Sequence, residues 1–242
     1  MGLRWHSSSA SDVGRKRKIN EDALLSRDED GLWLVADGMG GHDAGDVASK
    51  AVVHAFRQVR FAGSLTDRLD LFEDTLIDLN LQLRHYAQQS LRGRTMGTTV
   101  VAMLAFQNWA LCLWVGDSRL YQYRHGRLRQ VSRDHSVWQE MLDQGMNESQ
   151  LQKQADLRSV ITRAVGGHPR LVMDTQLMDV QAGDRFLLCT DGLYRELDDE
   201  ECARILIEED TDQACQILLQ QALERGGHDN ISLILVDVVV PV

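Results

Sequence analysis

Apolar residues recur along the chain with two spacings, and each spacing predicts one kind of element. Short, mostly apolar runs are typical of buried strands, and they occupy residues 32–36, 185–190 and 231–240. Apolar residues three or four positions apart are typical of helices that bury one side, and they occupy residues 47–59, 69–86, 202–206 and 214–223. The pattern therefore predicts a protein that combines sheets with amphipathic helices.

Residues 98–131 change character, because short β-prone segments alternate there with turns. The turns lie at Gln107-Asn108, Gly116-Asp117 and His125-Gly126. Short strands joined in this way predict an antiparallel meander. A brief apolar pattern around Val137 and Leu142 predicts one more helix, and the polar stretch that follows it predicts an exposed segment.

The chain is long enough to bury a full core, since it has 242 residues and 43% of them are hydrophobic. It contains only two prolines, so no Pro-rich linker divides it. We therefore expect a single domain over residues 1–242. The segment at about 145–165 is expected to form a flap on this domain.

Charge and composition exclude several classes of partner. The net charge of −10 argues against nucleic acid or an anionic membrane surface, because both repel an acidic protein. No run approaches eighteen apolar residues, and the first residues lack the apolar segment of a signal peptide. We expect a monomeric cytoplasmic protein without membrane insertion. The four cysteines form no C-x-x-C pair, which disfavours a zinc site or a disulfide framework.

Four aspartates lie at predicted strand boundaries beside a glycine or a polar turn: Asp37, Asp117, Asp191 and Asp229. Each of them alone could equally be an ordinary turn residue. Gathered in one cleft, they would repel one another and raise their pKa values unless cations lay between them. Carboxylate and carbonyl oxygens favour magnesium or manganese over zinc or copper. Sequence spacing alone does not tell whether the four side chains gather.

Seven segments of the chain form an ordered series of short motifs. The segments are Arg17-x-x-Asn20-Glu21-Asp22, the Asp-Gly-Met-Gly-Gly-His sequence at 37–42, Gly97-Thr98-Thr99, Gly116-Asp117-Ser118-Arg119, Asp134-His135-Ser136, Thr190-Asp191-Gly192 and Asp229-Asn230. In this order they resemble the signature motifs of one known family, the bacterial PP2C-type (PPM) serine/threonine phosphatases. The resemblance spans residues 12 to about 238. It implies an α+β fold, a four-layer α-β-β-α sandwich of two antiparallel sheets flanked by helices.

Carried over residue by residue, the resemblance implies a site for two Mn²⁺ or Mg²⁺ ions. Asp37 would bridge the two metals. Asp191 and Asp229 would bind the first metal, and the backbone carbonyl of Gly38 would bind the second.

Further acidic residues complete the implied ligand shell. Glu21 and Asp22 would act in or near it, partly through water. Asp117, together with Asp191, would bind a third metal of the kind seen in bacterial members of the family.

The implied reaction is hydrolysis of phosphoserine and phosphothreonine in proteins by direct attack of a metal-activated water. Arg17 would grip the phosphate, for which a guanidinium fork is well shaped. His42 is the candidate general acid for the departing oxygen. Many eukaryotic relatives carry a histidine directly after Asp-Gly, where this chain has Met39, so a metal-bound water is the alternative acid.

The resemblance also implies partners. Compact relatives commonly oppose a bacterial serine/threonine kinase, in some cases one that regulates a secretion system. We therefore expect phosphorylated proteins as substrates and a cognate kinase as functional counterpart, although no residue names the target. The flap at about 145–165 is expected to tune the choice among protein substrates.

Two alternative functions fit parts of the sequence. Cys189 and Arg195 have the C-x₅-R spacing of cysteine-dependent phosphatases, which need a thiolate of low pKa. Cys189 ends an apolar strand and lies close to the carboxylate of Asp191, and both features oppose a low pKa. The second alternative is a phosphoprotein-binding module without turnover. Loss of a metal-binding carboxylate would favour that module, and every one is present.

Overall fold

Two antiparallel sheets form the centre of the molecule in the computed structural model, which describes residues 3–40, 44–91, 95–151 and 157–240. The strands are β1 (Arg4–Asp12), β2 (Asp22–Arg27), β3 (Leu32–Met39), β4 (Gly97–Thr98), β5 (Val100–Phe106), β6 (Trp109–Val115), β7 (Arg119–Arg124), β8 (Arg127–Gln130), β9 (Asp174–Asp179), β10 (Arg185–Cys189) and β11 (Ile231–Val239). The first sheet has the order β1-β11-β10-β7-β8. The second has the order β2-β3-β5-β6-β9, and β4 pairs with β3.

The helices are α1 (Ala44–Gln58), α2 (Leu65–Ser90), α3 (Val137–Asp143), α4 (Glu148–Leu151), α5 (Asp191–Tyr194), α6 (Asp199–Glu208) and α7 (Thr211–Arg225). The longer ones, α1, α2, α6 and α7, cover the outer faces of the two sheets. Side chains cap several helix starts, as where Ser64 and Asp67 form a reciprocal capping box at α2. Within the described residues, no helix combines the length and the apolar character that a membrane crossing requires.

Three layers of apolar side chains hold the four structural layers together. The middle layer lies between the two sheets and contains Trp33, Phe186 and Ile234. One outer layer joins the second sheet to α1 and α2, where the rings of Phe56 and Phe72 stack with centroids 4.3 Å apart. The other outer layer joins the first sheet to α6 and α7. The predicted α-β-β-α sandwich is confirmed.

Strand β3 shows why its sequence is apolar without alternation. Trp33 and Val35 point into the layer between the sheets, whereas Leu34 and Ala36 point towards the helices. All four side chains are fully buried, because a central strand of this sandwich is covered on both faces. The strand can therefore deliver a polar residue only where it leaves the core, at Asp37.

The meander predicted over residues 98–131 is wrong at one turn. β5 pairs with β6 and β7 pairs with β8, but β6 and β7 belong to different sheets, and β7 pairs with β10 instead. The chain crosses between the sheets at Gly116, which has a φ of +110°. A Cβ at Gly116 would lie 2.6 Å from the side chain of Thr99, so only glycine fits there. The crossing carries Asp117 into a cleft at the end of the sandwich.

Candidate metal centre

Asp37 is fixed by hydrogen bonds from the loop that enters β5. The Asp37 carbonyl accepts two hydrogen bonds. The Thr99 N–H donates to it at 2.8 Å, and the Thr98 hydroxyl donates to it at 2.9 Å. The Asp37 N–H donates in turn to Thr99 Oγ1 at 3.1 Å. These bonds satisfy the backbone where β3 ends, so the carboxylate faces the cleft from a rigid base.

The Gly38 backbone is packed against the start of α1 and the loop before β2. A Cβ at Gly38 would lie 2.0 Å from the carbonyl oxygen of Gly45, and a Cβ at Gly45 would lie 2.3 Å from Glu21 Oε1. The Gly38 N–H donates to the Glu21 carbonyl at 3.1 Å. Glycine at both positions is therefore required for this close approach, which brings the Glu21 carboxylate beside the Gly38 backbone.

Asn230 ties the loop that carries Arg17 and Glu21 to the start of β11. Its side-chain N–H₂ donates to the carbonyls of Val13 and Ile19, each at 2.9 Å, and its Oδ1 accepts from the Glu21 N–H at 2.8 Å. Sequence reasoning recorded the Asp229-Asn230 motif but assigned no role to the asparagine. The amide is the residue type that suits this position, because it donates and accepts at once.

Asp191 begins α5 and lies against the Asn230 turn. A Cβ at Gly192 would lie 2.1 Å from the Asn230 carbonyl oxygen, so the helix start and the turn are in close contact. Next to Asp191, Thr190 Oγ1 donates to Asp22 Oδ2 at 2.9 Å. Asp22 is also the cross-strand partner of Asp37. Four separate chain segments thus meet at one end of the sandwich.

The meeting point is a cleft of about 410 Å³. Most of the residues predicted for the site line it together, and Thr99, Arg195 and Asn230 line it as well. Asp22 does not line the cleft, because it is buried beneath it with 6% of its surface exposed. His42 lies outside the described residues. The predicted residues in the lining are Arg17, Glu21, Asp37, Gly38, Asp117, Asp191 and Asp229.

Burial and mutual repulsion disfavour ionisation of these carboxyl groups. The pKa values of Asp22 and Asp117 are raised from 3.8 to about 7. Burial is the main cause, and the negative charge of Asp191 adds to it. The pKa of Asp37 is raised well above its ordinary value by burial and by the charges of the surrounding aspartates. Burial also raises the pKa of Glu21. A cluster of this kind stabilises a bound cation, because the cation relieves the repulsion.

Two arginines supply part of that positive charge. Arg17 Nη2 lies 2.8 Å from Asp229 Oδ2, and Arg195 Nη2 lies 2.8 Å from Asp191 Oδ2. Across the described part of the chain, no group of three or more Asp, Glu, His or Cys side chains is arranged to hold a metal ion as it stands. Two of the candidate ligands, Asp191 and Asp229, are paired with guanidinium groups.

The donor set nevertheless fits a hard divalent cation. The cleft offers carboxylate oxygens and a glycine backbone, which are the ligand types that Mg²⁺ and Mn²⁺ accept. Two buried oxygens, Asp22 Oδ1 and Asp191 Oδ1, have no hydrogen-bond partner. Buried carboxylate oxygens without a partner are costly, and a cation or its water ligands would satisfy them.

The thiol of Cys189 lies on the other side of its strand end. It is fully buried in the apolar layer between the first sheet and its helices. Burial raises the pKa of this thiol well above its ordinary value, whereas a cysteine nucleophile needs a lowered one. The C-x₅-R spacing with Arg195 therefore does not correspond to a thiolate site.

Comparisons with known proteins agree with this geometry. The sequence profile of the family described as Protein phosphatase 2C matches residues 14–226. Serine/threonine phosphatase stp of Listeria monocytogenes is 32% identical over 240 residues, which cover 96% of this chain and 95% of that protein.

Solved structures give the same result. PppA, a key regulatory component of T6SS in Pseudomonas aeruginosa, superimposes with a TM-score of 0.90 at 42% identity, covering 98% of this chain and 99% of the other. The catalytic domain of the serine threonine protein phosphatase PstP, in complex with 2 manganese ions, superimposes with a TM-score of 0.87 at 32% identity. That match covers 98% of this chain and 100% of the other.

Proposed function

The chain belongs to the protein phosphatase 2C family and is a serine/threonine phosphatase, and from this premise we propose that it removes phosphate from phosphoserine and phosphothreonine in proteins with the help of Mn²⁺ or Mg²⁺. The observation that carries the proposal is the single cleft lined by Asp37, Asp117, Asp191, Asp229 and Glu21. Five acidic residues in one cleft would repel a phosphate unless cations lay between them.

Asp37, Asp191, Asp229 and the Gly38 carbonyl would hold two divalent cations, and Glu21 would support them. When bound, such cations lower the pKa of a water that attacks phosphorus directly and neutralise the charge that builds on the phosphoryl oxygens. The protein's own part is to hold the metal-binding groups in place, because Thr98 and Thr99 fix the Asp37 backbone and Asn230 fixes the loop that carries Glu21. No phosphoenzyme is needed, which agrees with the buried position of the Cys189 thiol.

Arg17 is proposed to bind the substrate phosphate. Its side chain lines the cleft and is 52% exposed, so its guanidinium is accessible from solvent. A guanidinium binds two phosphate oxygens at once, which fixes the orientation of the phosphoryl group. His42, proposed as the general acid, lies outside the described residues.

The segment at 145–165 is proposed to border the substrate. Its described part after residue 156 is anchored to the core, because Val137 N donates to the Val160 carbonyl at 2.9 Å and Thr162 N donates to the His135 carbonyl at 2.8 Å. Ser159 and Ile161 line the cleft. These contacts support a role of the segment in the choice of protein substrate.

A bacterial serine/threonine kinase is proposed to phosphorylate the proteins that this enzyme dephosphorylates. The similarity to PppA, named as a key regulatory component of a secretion system, supports a place in such a system. PppA and this chain are 42% identical over almost the whole of both chains, which supports extending this role to the chain.

The proposed activity is tested with chelator-treated protein and a phosphothreonine peptide. We expect no turnover in the presence of chelator and turnover that rises with added Mn²⁺ or Mg²⁺, because the acidic cleft needs cations before it can accept a phosphate. Phosphate release measured across a metal titration gives the result. Protein that is folded by circular dichroism yet inactive at every metal concentration would favour the binding-module alternative.

Substitution Arg17→Ala is expected to raise KM by about 10–100-fold and to lower kcat less. A hydrogen bond to a charged group contributes about 1.5–3 kcal/mol, and a phosphate clamp acts on the bound substrate as well as on the transition state. Steady-state kinetics on the same peptide measure both constants. Lys16→Ala, an exposed change in the same basic run, serves as the control and should leave KM unchanged. An unaltered KM in Arg17→Ala would remove Arg17 from the phosphate site.

A further inference from the structure

Asp117 and Asp191, the two carboxylates expected to hold a third metal, already have a cation between them. Arg195 Nη2 lies 2.8 Å from Asp191 Oδ2 and 3.8 Å from Asp117 Oδ2. Asp117 and Asp191 are only 4% and 8% exposed, so water compensates little of their charge. A guanidinium keeps its charge at every physiological pH. The two carboxylates therefore share a positive charge that belongs to the chain itself.

The position of Arg195 is set by the short helix α5. Its N–H donates to the Asp191 carbonyl at 3.0 Å, so the two side chains lie one turn apart on the same side. The hydroxyl of the adjacent Tyr194 donates to the Asp117 carbonyl at 3.0 Å and ties the helix to the β6–β7 crossing. These bonds hold all three residues of the cluster in place.

No neighbouring arginine duplicates this role among the described residues that line the cleft and the cavity beside it. Arg17 also lines the cleft, but it pairs with Asp229, and Arg119, which lines the neighbouring cavity, pairs with another aspartate. Arg119 Nη2 lies 2.7 Å from Asp134 Oδ2, and the Arg119 guanidinium stacks on the ring of Tyr194 at 3.6 Å. Arg195 lines both the cleft and this cavity, and thus forms part of the wall between them.

We propose that Arg195 replaces the third metal ion in this chain, so that the cleft binds two divalent cations and not three; this inference rests on the proposed function. A divalent ion between Asp117 and Asp191 would lie against the guanidinium, and like charges at such a distance repel each other strongly in a partly buried site. Arg195 acts here as a positioning residue, which compensates charge without touching the reacting atoms.

The test counts the Mn²⁺ ions taken up by the full chain after chelator treatment, by isothermal titration calorimetry and by elemental analysis after dialysis. Wild type should take up two ions. Arg195→Gln should take up three, because the uncovered carboxylates form a new oxygen site. The double variant Arg195→Gln with Asp117→Asn should return to two. Arg195→Lys should stay at two, since an ammonium group can still lie between the carboxylates.

Arg133→Gln is the matched control, because Arg133 is an exposed arginine paired with Asp143 away from the cleft. It should take up two ions. Three ions in wild type would overturn the inference and leave the proposed function intact. Two ions in folded Arg195→Gln would also overturn the inference, and no ions in wild type would overturn both proposals.

A second measurement decides the matter if Arg195→Gln does not fold. Asp117→Asn in the wild-type background should still take up two ions, because Asp117 holds no metal while Arg195 is present. The loss of one ion in Asp117→Asn would overturn the inference.

Discussion

Asp37→Asn should lower Mn²⁺-dependent hydrolysis of a phosphothreonine peptide by more than about a hundredfold. Loss of a residue that merely supports a metal ligand costs about 10–100-fold in metal affinity or activity, and a ligand shared by two metals should cost more. The backbone bonds of Asp37 to Thr98 and Thr99 do not involve its carboxylate and remain in the variant. The loss is therefore expected without unfolding.

The same substitution should stabilise the chelator-treated protein. The folded state raises the pKa of Asp37 well above its ordinary value of 3.8. The unfolded chain therefore releases this proton at a lower pH than the folded chain does, and stability is lost as the pH rises above about 4. Asparagine carries no such proton. The gain in Tm should be absent near pH 4 and should grow towards neutral pH.

Thermal unfolding in chelator at several pH values, together with peptide hydrolysis in Mn²⁺, measures both effects. Asp184→Asn is the matched control, because Asp184 is another buried aspartate and accepts a hydrogen bond from Arg124 Nε at 2.6 Å. The control should lose stability, since it removes the buried charge that pairs with Arg124 and leaves Arg124 only its more exposed partner Asp179, and it should keep its Mn²⁺ dependence. Inactivity of Asp37→Asn accompanied by an equally lowered Tm would mean that Asp37 is structural.

The sequence pattern predicted the buried parts of the fold and missed three strands at the sheet edges, β1, β2 and β9. β1 contains four serines among nine residues and pairs only with β11, so its stability comes from the backbone ladder and from contacts such as the 2.8 Å hydrogen bond between Ser11 and Ser232. β9 is an edge strand of the second sheet, and most of its residues are exposed. Neither β1 nor β9 needs an apolar pattern, and hydrophobic periodicity therefore does not reveal them.

The candidate site was predicted more completely than the contacts that hold it. Asp37, Asp117, Asp191 and Asp229 could be noticed from a local signal, because an aspartate beside a glycine or a polar turn at a strand end is visible within a few residues, whereas Glu21 and Asp22 came from the family resemblance. The roles of Thr99 and Asn230 depend on bonds across 62 and 211 residues of sequence, which no local pattern encodes. Arg195 entered only through a spacing shared with cysteine-dependent phosphatases, and its pairing with Asp117 and Asp191 depends on the fold.

Cys189 and Asp191 lie at the same strand end but would serve two incompatible mechanisms. Substituting each residue alone therefore distinguishes the cysteine mechanism from the metal mechanism. Cys189 pairs with Leu233 in β11, is fully buried and faces the helices, whereas Asp191 lines the cleft. Cys189→Ser should keep most of the Mn²⁺-dependent activity. It should lose about 1–3 kcal/mol of stability, because its hydroxyl would be buried in an apolar layer.

Asp191→Asn should instead lose more than about a hundredfold in activity and should need higher Mn²⁺ concentrations, because it removes a charged ligand while the backbone bonds of α5 remain. Initial rates across an Mn²⁺ titration, measured well below the Tm of each variant, compare the two directly. The buried thiol predicts parallel titration curves for Cys189→Ser and wild type. An inactive Cys189→Ser beside an active Asp191→Asn would require a covalent phosphocysteine mechanism, and the acidic cleft would then have to serve another purpose.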